Sequence, residues 1–349
     1  MNSHKQFIIR PVKSSDLKAI YHLAMLKEPG LTSLTRHKPT LKKMIEESVQ
    51  SFKTKTVKTL NPNGFYLFVL EDLKKKTAVG TCSITARVGV KSPFFYFERF
   101  TVTKNTSTAQ KYYRLLQLHA MRYGPSEIGT LFIHPDYRKK GLGRLLSFSR
   151  FLFMACFPNL VDTSIIAEMR GVSSVQGKSP FWDSLGKHFF ELSFEEADSL
   201  SSTDKSFIQE LIPRYPIYEH FLTKKAQEVI GKPHPKTVPA LHLLEQEGFQ
   251  RNKHIDIFDG GPKVSAITQS IRSIAHSQTL KVSHIQKEVN STTLSLVSSR
   301  KFKTFRVCIA PLEIQSNKIR LNKTSAKQLQ VKQGDTVQIT SLYPPKDVR

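Results

Sequence analysis

The feature that most constrains this chain is a short glycine-containing loop between a strand pattern and a helix pattern. Residues 128–134 (IGTLFIH) predict a strand, and residues 143–157, apolar on most faces after Phe148, predict a buried helix. Between them lies the sequence RKKGLG. Glycines let the backbone turn and approach a ligand closely, and the first N–H groups of a helix lack intrahelical partners and favour an anion. The junction therefore predicts an anion-binding loop.

Two well-known phosphate loops do not match this junction. The chain has no G-x-x-x-x-G-K-[ST] sequence, and the loop lacks the third glycine and the preceding βαβ unit of a dinucleotide fingerprint. Arg138, with Lys139 or Lys140, can add charge-assisted contacts to a bound anion. A plain basic turn is the alternative interpretation of the same residues.

The order of the other patterns predicts the fold class. An opening strand (6–12) and two helices precede two β-prone runs, 65–72 and 78–86, that predict an antiparallel hairpin. Another strand, SIIAEMRG (164–171), follows the buried helix. This order predicts a mixed α/β (α+β) fold, with a central sheet flanked by helices. Farther along, IDIFDGGP (255–262) predicts a short strand that ends in a turn.

The C-terminal part has a different pattern. Residues 263–290 are polar and rich in serine and threonine, whereas FRVCIAPL (305–312), KIRLNKTSAKQL (318–329) and GDTVQITSL (334–342) alternate and break at turn residues. We therefore predict three parts: a main domain over 1–262, a linker or variable segment over 263–302, and a small β domain over 303–349.

Charge limits the partners without selecting one. The 349 residues include 53 Lys and Arg against 28 Asp and Glu, for a net charge of +25. Such a surplus fits nucleic acid, an anionic membrane surface or an anionic small ligand. The basic residues are scattered, however, and no RNP-like motif, zinc-finger spacing or basic zipper is present. We therefore do not expect a nucleic-acid partner.

Apolar runs and cysteines indicate the compartment. The most apolar short run, FLFMACF (151–157), is far below the roughly 20 residues that a membrane span needs. Cys82, Cys156 and Cys308 are far apart and form no CxxC pair. Reduced thiols, no metal site and a cytoplasmic enzyme without a membrane segment are the expectation.

The segment IGTLFIHPDYRKKGLGRLL resembles the acyl-CoA-binding motif of the GNAT superfamily of N-acyltransferases. More specifically, the chain resembles the arginine N-succinyltransferase family. The similarity covers residues 6–262, with a weaker part from 303 to 342. The stretches that carry it include GLTSL (30–34), AEMRGV (167–172), SPFWDSLGKHFF (179–190), AQEVIGKPHPKTVPA (226–240) and IDIFDGGP (255–262).

The resemblance implies a GNAT-like fold and transfer of a succinyl group from succinyl-CoA to the α-amino group of L-arginine. It implies that His234, in an I-G-x-x-H-P-x-T segment, is the proton donor, a role suited to imidazole. It also implies that succinyl-CoA is held by Leu131, Arg138, Lys139, Gly141, Leu142 and Gly143. Since Leu131 is apolar, its contact should come from backbone groups at an open strand edge.

Substrate charges need partners of opposite sign. Glu168 and Arg170 are two apart on a predicted strand and so share one face. We expect Glu168 to meet the guanidinium and Arg170 to meet a carboxylate; a structural ion pair or a solvated strand edge is the alternative. No Cys or Ser motif supports a covalent intermediate, which favours direct attack by the amine.

Two alternatives remain open. The same fold can act on another amine, such as a polyamine, ornithine or a protein lysine. A basic nucleic-acid-binding protein on a degenerate acyltransferase scaffold is the other alternative. The family also implies a homo- or hetero-oligomer, which the sequence does not decide.

Overall fold

The computed structural model describes residues 3–28, 30–54, 57–105, 107–138, 141–174, 176–201, 208, 215–289, 291 and 293–343. The α-helices in these ranges are α1 (Leu17–Leu26), α2 (Lys38–Lys53), α3 (Leu142–Cys156), α4 (Pro180–Ser184), α5 (Gly186–Phe190), α6 (Phe194–Ser201), α7 (Lys224–Val229), α8 (Val238–Gln246), α9 (Arg272–Ala275) and α10 (Lys323–Leu329).

The strands are β1 (Phe7–Pro11), β2 (Phe65–Asp72), β3 (Thr77–Thr85), β4 (Phe94–Asn105), β5 (Gln110–Met121), β6 (Ser126–Ile133), β7 (Ser164–Glu168), β8 (Ile217–Tyr218), β9 (Gln250–Ile255), β10 (Pro262–Ile267), β11 (Gln278–Gln286), β12 (Leu294–Ser299), β13 (Val307–Pro311), β14 (Glu313–Gln315), β15 (Lys318–Asn322) and β16 (Thr336–Ser341).

These strands form one hydrogen-bonded sheet. Its order is β14-β15-β11-β16-β12-β13-β1-β2-β3-β6-β7-β10-β9-β4-β5-β8. The predicted hairpin is confirmed, because β2 and β3 pair antiparallel from Phe65↔Thr85 to Asp72↔Thr77. The predicted mixed α/β fold, with a central sheet flanked by helices and strands at the C-terminal end, is therefore confirmed.

Helix α3 lies at the centre of the largest apolar core. Phe148, Phe151, Leu152 and Phe153 are fully buried, which confirms the prediction of a buried helix. The helix packs on strands of the main sheet and on β12, β13 and β16. Strands from the middle of the sheet order, from β12 to β10, contribute to this core, and α3 also contacts β6.

The C-terminal part differs in detail from the sequence patterns. Residues 263–302, expected as a linker or variable segment, contain β11, β12 and most of β10. Residues 318–329 are not one strand, because Asn322 ends β15 and its side chain accepts from the N–H of Ser325 to begin α10. The division into parts at residues 262 and 303 stays a prediction.

The segment IDIFDGGP also differs from its predicted strand. Strand β9 ends at Ile255, and the next residues form a turn in which the Asp256 carboxylate accepts from the N–H groups of Phe258 and Asp259 at 2.7 and 3.0 Å. An aspartate that bonds the backbone two and three residues ahead competes with strand pairing. Within the described ranges no helix is long and apolar enough to span a bilayer.

Candidate active site

Two neighbouring strands separate at the centre of the sheet. β6 and β7 run parallel and pair only at Ser126↔Ile165 and Glu127↔Ile166. Beyond these pairs a cavity of about 890 Å³ opens, lined on one side by residues 127–133 and on the other by residues 167–170. Backbone groups that would otherwise bond across the sheet therefore face a space large enough for a ligand.

A bulge in β6 shapes this gap. The β3–β6 register shifts between Thr81 and Ser83, opposite Thr130, which has a φ of 52°. A β-branched residue in the left-handed region is strained, and the neighbours hold it in place. Its N–H donates to Ser33 Oγ at 3.1 Å and its hydroxyl bonds Ser83 Oγ at 2.8 Å. These hydrogen bonds hold the strained backbone next to Leu131, which lines the cavity.

The predicted anion loop lies at one end of the cavity. Gly141 is the N-cap of α3 with a φ of 76°, which only glycine adopts readily. A Cβ built on Gly143 has nothing within 4 Å, so the first turn of α3 faces open space. Arg138 and both glycines line the cavity, whereas the Leu142 side chain is buried in the core. Lys139 lies outside the described residues.

His234 is at the cavity edge and does not line it, although Lys236 and Thr237 do. It is 9 % exposed, and its backbone N–H donates to the Arg170 carbonyl at 2.8 Å. Its Nδ1 accepts from the Lys236 N–H at 3.1 Å, so in the neutral ring Nε2 carries the hydrogen. Burial lowers the pKa of His234, with Arg170 adding to the effect.

Arg170 lines the cavity just beyond the end of β7. Its Nη1 pairs with Glu28 at 3.0 Å and its Nη2 donates to Ser173 Oγ at 3.0 Å. Glu28 also pairs with Lys236, and the Lys236 hydrogen bond is the main cause that lowers the pKa of Glu28. The α1–α2 loop and the His234 loop are thus tied together around the Arg170 guanidinium.

Glu168 lines the cavity as the last residue of β7. It pairs with Lys263 Nζ at 2.5 Å and with Arg170 it forms no ion pair. Each of the two predicted substrate residues therefore has its own structural partner, as the alternative in the sequence interpretation allowed. Both nevertheless line the same cavity.

Two aspartates of the IDIFDGGP turn join Glu168 at the cavity wall. Asp259 accepts from the N–H groups of Gly171 and Gly261 at 2.7 and 2.8 Å. Burial raises the pKa of Asp256, and Glu168 adds to this effect; burial and Asp256 raise the pKa of Asp259. This end of the cavity is therefore rich in acidic groups, and Lys263 is the cation that pairs with one of them, Glu168.

Several cavity residues were missed by the sequence interpretation, namely Lys27, Glu28, Glu127, Arg150, Lys236, Asp256 and Asp259. Asp256 and Asp259 carried a signal, since both lie in the family segment IDIFDGGP. Arg150 carried another, as a charged residue within an otherwise apolar helix pattern. Lys236 carried the same signal, since it lies in the family segment AQEVIGKPHPKTVPA. Lys27 and Glu28 have no such signal, because only the tertiary contacts bring their loop to the cavity.

The cysteines take no part in this cavity. Cys82, Cys156 and Cys308 are free and buried, and burial raises their pKa values to about 11, 11 and 12. Such thiols stay protonated and are poor nucleophiles. Across the described residues, no group of three or more His, Cys, Asp or Glu side chains is arranged to hold a metal ion.

Comparisons with known proteins agree with this architecture. A family model described as arginine N-succinyltransferase beta subunit matches residues 7–273, and one described as its C-terminal domain matches residues 278–341. Proteins of Escherichia coli and Shigella flexneri named arginine N-succinyltransferase are 39 % identical over 338 residues, which cover 96 % of this chain and 97 % of theirs.

A solved structure is also similar. Arginine/ornithine succinyltransferase subunit AI from Pseudomonas aeruginosa has a TM-score of 0.89 and 31 % identity, with 97 % of this chain and 99 % of that chain covered. The full-length similarity and the shared fold thus define an acyltransferase, a class that uses an acyl-CoA as co-substrate. The chain belongs to the arginine N-succinyltransferase beta subunit family.

Proposed function

We propose that this enzyme transfers a succinyl group from succinyl-CoA to the α-amino group of L-arginine. The observation that carries the proposal is the full-length similarity to proteins named arginine N-succinyltransferase. The neutral amine attacks the thioester carbonyl, a C–N bond forms and the C–S bond breaks. The amine loses a proton and the leaving CoA thiolate gains one, so the products are N2-succinyl-L-arginine and free CoA.

The gap between β6 and β7 is the proposed place of the acyl-CoA. Its pyrophosphate would bind at the first turn of α3, where Gly141 and Gly143 leave the N–H groups accessible and Arg138 is exposed. Strand β6 beside Leu131 would offer backbone groups to the pantetheine amides. Lys139 belongs to the same proposed loop on the family resemblance alone.

The acceptor would lie between the acidic and basic parts of the cavity. Glu168 and Asp256 are the carboxylates proposed to bind the guanidinium, because both line the cavity and lie near each other: Glu168 adds to the burial that raises the pKa of Asp256. Arg170 is the proposed partner of a substrate carboxylate, and its guanidinium is held by Glu28 and Ser173. Held side chains of this kind lose little freedom when the substrate binds.

His234 is the proposed proton donor to the thiolate. Only the cationic ring is acidic enough to protonate a thiolate. Nδ1 would therefore first take up a proton released by the amine and give up the hydrogen bond that it accepts from the Lys236 N–H, and Nε2 would then donate. Burial lowers the pKa of His234 and disfavours the cationic ring, and the substitution His234→Asn tests this role.

Ornithine is a second candidate acceptor. The similar Pseudomonas aeruginosa protein is named an arginine/ornithine succinyltransferase, so its name puts the two amino acids side by side. Ornithine has an ammonium where arginine has a guanidinium, and either cation can pair with carboxylates.

The buried, unpaired thiols fit the proposed cytoplasmic location.

A thiol-release assay tests the proposal. Purified enzyme with succinyl-CoA should release free CoA at a rate that depends on the L-arginine concentration, and the product should be succinylated on the α-amino group. Ornithine, a polyamine and a lysine peptide are the comparison acceptors. A preference of about tenfold or more for one of these over arginine would replace arginine as the substrate. Absence of succinyl transfer to any amine would reject the activity.

A further inference from the structure

Arg150 is a buried cation on α3 whose charge no carboxylate of the described residues balances. Its side chain is among the largest that are fully buried, with the residue 2 % exposed. Nε donates to the Ser147 carbonyl at 3.0 Å and Nη2 to Ser147 Oγ at 2.8 Å. Both hydrogen bonds stay within its own helix, and neither acceptor carries a charge.

The other buried cations of the described ranges differ in this respect. Arg10 pairs with Asp16 and Glu71, and Lys263 pairs with Glu168. Lys27 lies 3.9 Å from Asp198. A buried charge without a partner is costly, so proteins rarely keep one without a use for it.

The surroundings of Arg150 supply no hidden counter-charge. Cys82 is the neighbour whose thiolate would stabilise the guanidinium, but burial raises the pKa of Cys82 to about 11, and the thiol is neutral at physiological pH. Burial also lowers the pKa of Arg150 itself. Arginine nevertheless stays protonated under ordinary conditions, so a full positive charge is kept in this place.

Arg150 belongs to the wall of the central cavity. It follows the first residue of α3 by eight positions, and its guanidinium reaches back to Ser147, five positions after that residue and about 7–8 Å along the helix axis. Within the part of the chain that the structure describes, Nη1 has no hydrogen-bond partner. The guanidinium therefore lies beside the ligand space, about a turn and a half of helix beyond the first residue of α3, where the pyrophosphate is proposed to bind.

We propose that Arg150 binds the free carboxylate of the acyl group and so selects a dicarboxylic acyl-CoA. The proposal rests on the function given above in taking the acyl donor to be succinyl-CoA. A guanidinium can present two parallel N–H groups to a carboxylate, and a pair formed at the buried Arg150 would be screened little by solvent. Arg150 is thus a specificity-determining residue for the donor, separate from the acceptor groups Glu168 and Arg170.

Equilibrium binding of two donors without acceptor tests this assignment. Succinyl-CoA and butyryl-CoA have acyl chains of equal carbon number and differ in the terminal carboxylate. Arg150→Met should raise the Kd for succinyl-CoA about tenfold or more and change that for butyryl-CoA less than about threefold. Arg251→Met is the matched control, because Arg251 is half exposed and outside the cavity wall, and should change neither value.

Stability provides a second readout. Removal of an uncompensated buried charge should leave the Tm of the ligand-free protein unchanged or raise it. Arg150→Lys keeps the charge without the planar fork and should lose part of the selectivity. If Arg150→Met does not fold, the Kd values of Arg150→Lys and of the wild type for succinyl-CoA and butyryl-CoA still decide whether Arg150 binds the acyl carboxylate. Equal wild-type affinity for the two donors would overturn the proposal.

An acceptor series separates the two carboxylates that the substrates contain. Agmatine is arginine without its carboxylate, and Arg150→Met should leave the ratio of kcat/KM for arginine and agmatine unchanged. A change in this ratio, with donor selectivity intact, would assign Arg150 to the acceptor and overturn the proposal. Failure of wild-type transfer to arginine would reject the proposed function, whereas the donor-binding measurement would still decide the role of Arg150.

Discussion

At the scale of single residues, His234 shows how one side chain can serve structure and chemistry together. Its ring caps the short turn Pro235–Thr237, and its backbone N–H donates to the Arg170 carbonyl. His134 caps the turn Pro135–Tyr137 in the same way, with Nδ1 accepting from the Asp136 N–H at 3.3 Å. A histidine followed by proline is therefore explained in both places by capping alone. Catalysis at His234 has to be shown separately.

The substitution His234→Asn separates the two roles. Asparagine keeps a capping oxygen but has no titratable group, so the loop should be retained. If His234 donates the proton, kcat should fall about 100-fold or more with the Kd for CoA near the wild-type value. Single-turnover kinetics and CoA titration make this measurement. Unchanged kcat would leave His234 with a capping role only.

At the scale of elements, α3 combines a buried body with an open N-terminus. Gly141 needs its positive φ to begin the helix, whereas Gly143 has ordinary backbone geometry and free space around it. These two glycines of one motif thus serve different purposes. Gly141 sets the turn, and Gly143 keeps the approach to the first N–H groups clear.

This difference makes Gly143→Asp the sharper test of the anion loop. An aspartate in the first turn favours the helix, so the Tm should stay unchanged or rise. The same carboxylate would occupy the proposed pyrophosphate place, and the Kd for CoA should increase about tenfold or more. Gly143→Ala serves as the control and should bind CoA more tightly than Gly143→Asp. Equal affinity of the two variants would reject the loop as the CoA site.

At the scale of the whole molecule, the C-terminal strands share a core with α3. Phe305 is fully buried, and its ring packs against Phe68, Phe153 and Phe157 with centroid distances of 5.9, 5.2 and 6.2 Å. Strand β13 also pairs with β1 at Ile9↔Val307. A second apolar cluster, which includes Leu280, Ile319 and Val337, lies within the C-terminal strands themselves.

Phe305→Ala tests whether these two parts unfold together. Loss of a buried phenylalanine should reduce the free energy of unfolding by about 3–5 kcal/mol. Since the ring belongs to the core that contains α3, calorimetry should show one transition that shifts as a whole. Ile319→Ala, in the separate C-terminal cluster, is the comparison. Two resolved transitions, with only the smaller one shifted by Phe305→Ala, would instead support independent domains.

The sequence determined the parts of this protein that depend on local pattern. Alternation and helical periodicity gave the β2–β3 hairpin, the buried α3 and the glycine loop before it, because these elements are set by neighbouring residues. The sequence showed that the segment IDIFDGGP resembles the family, but it did not predict the turn that this segment forms. Asp256 bonds the backbone ahead of it, so the residues predicted as a strand form a turn.

Only the tertiary structure decided how the charges are arranged. Glu168 and Arg170 are close in sequence yet pair with Lys263 and Glu28, which come from distant segments. The cavity exists because β6 and β7 stop pairing after two residue pairs, a property of the sheet and not of either strand. Arg150 stands out for the same reason. The sequence shows Arg150 as a charged residue in an apolar helix. Only the fold shows that no carboxylate of the described residues balances its positive charge.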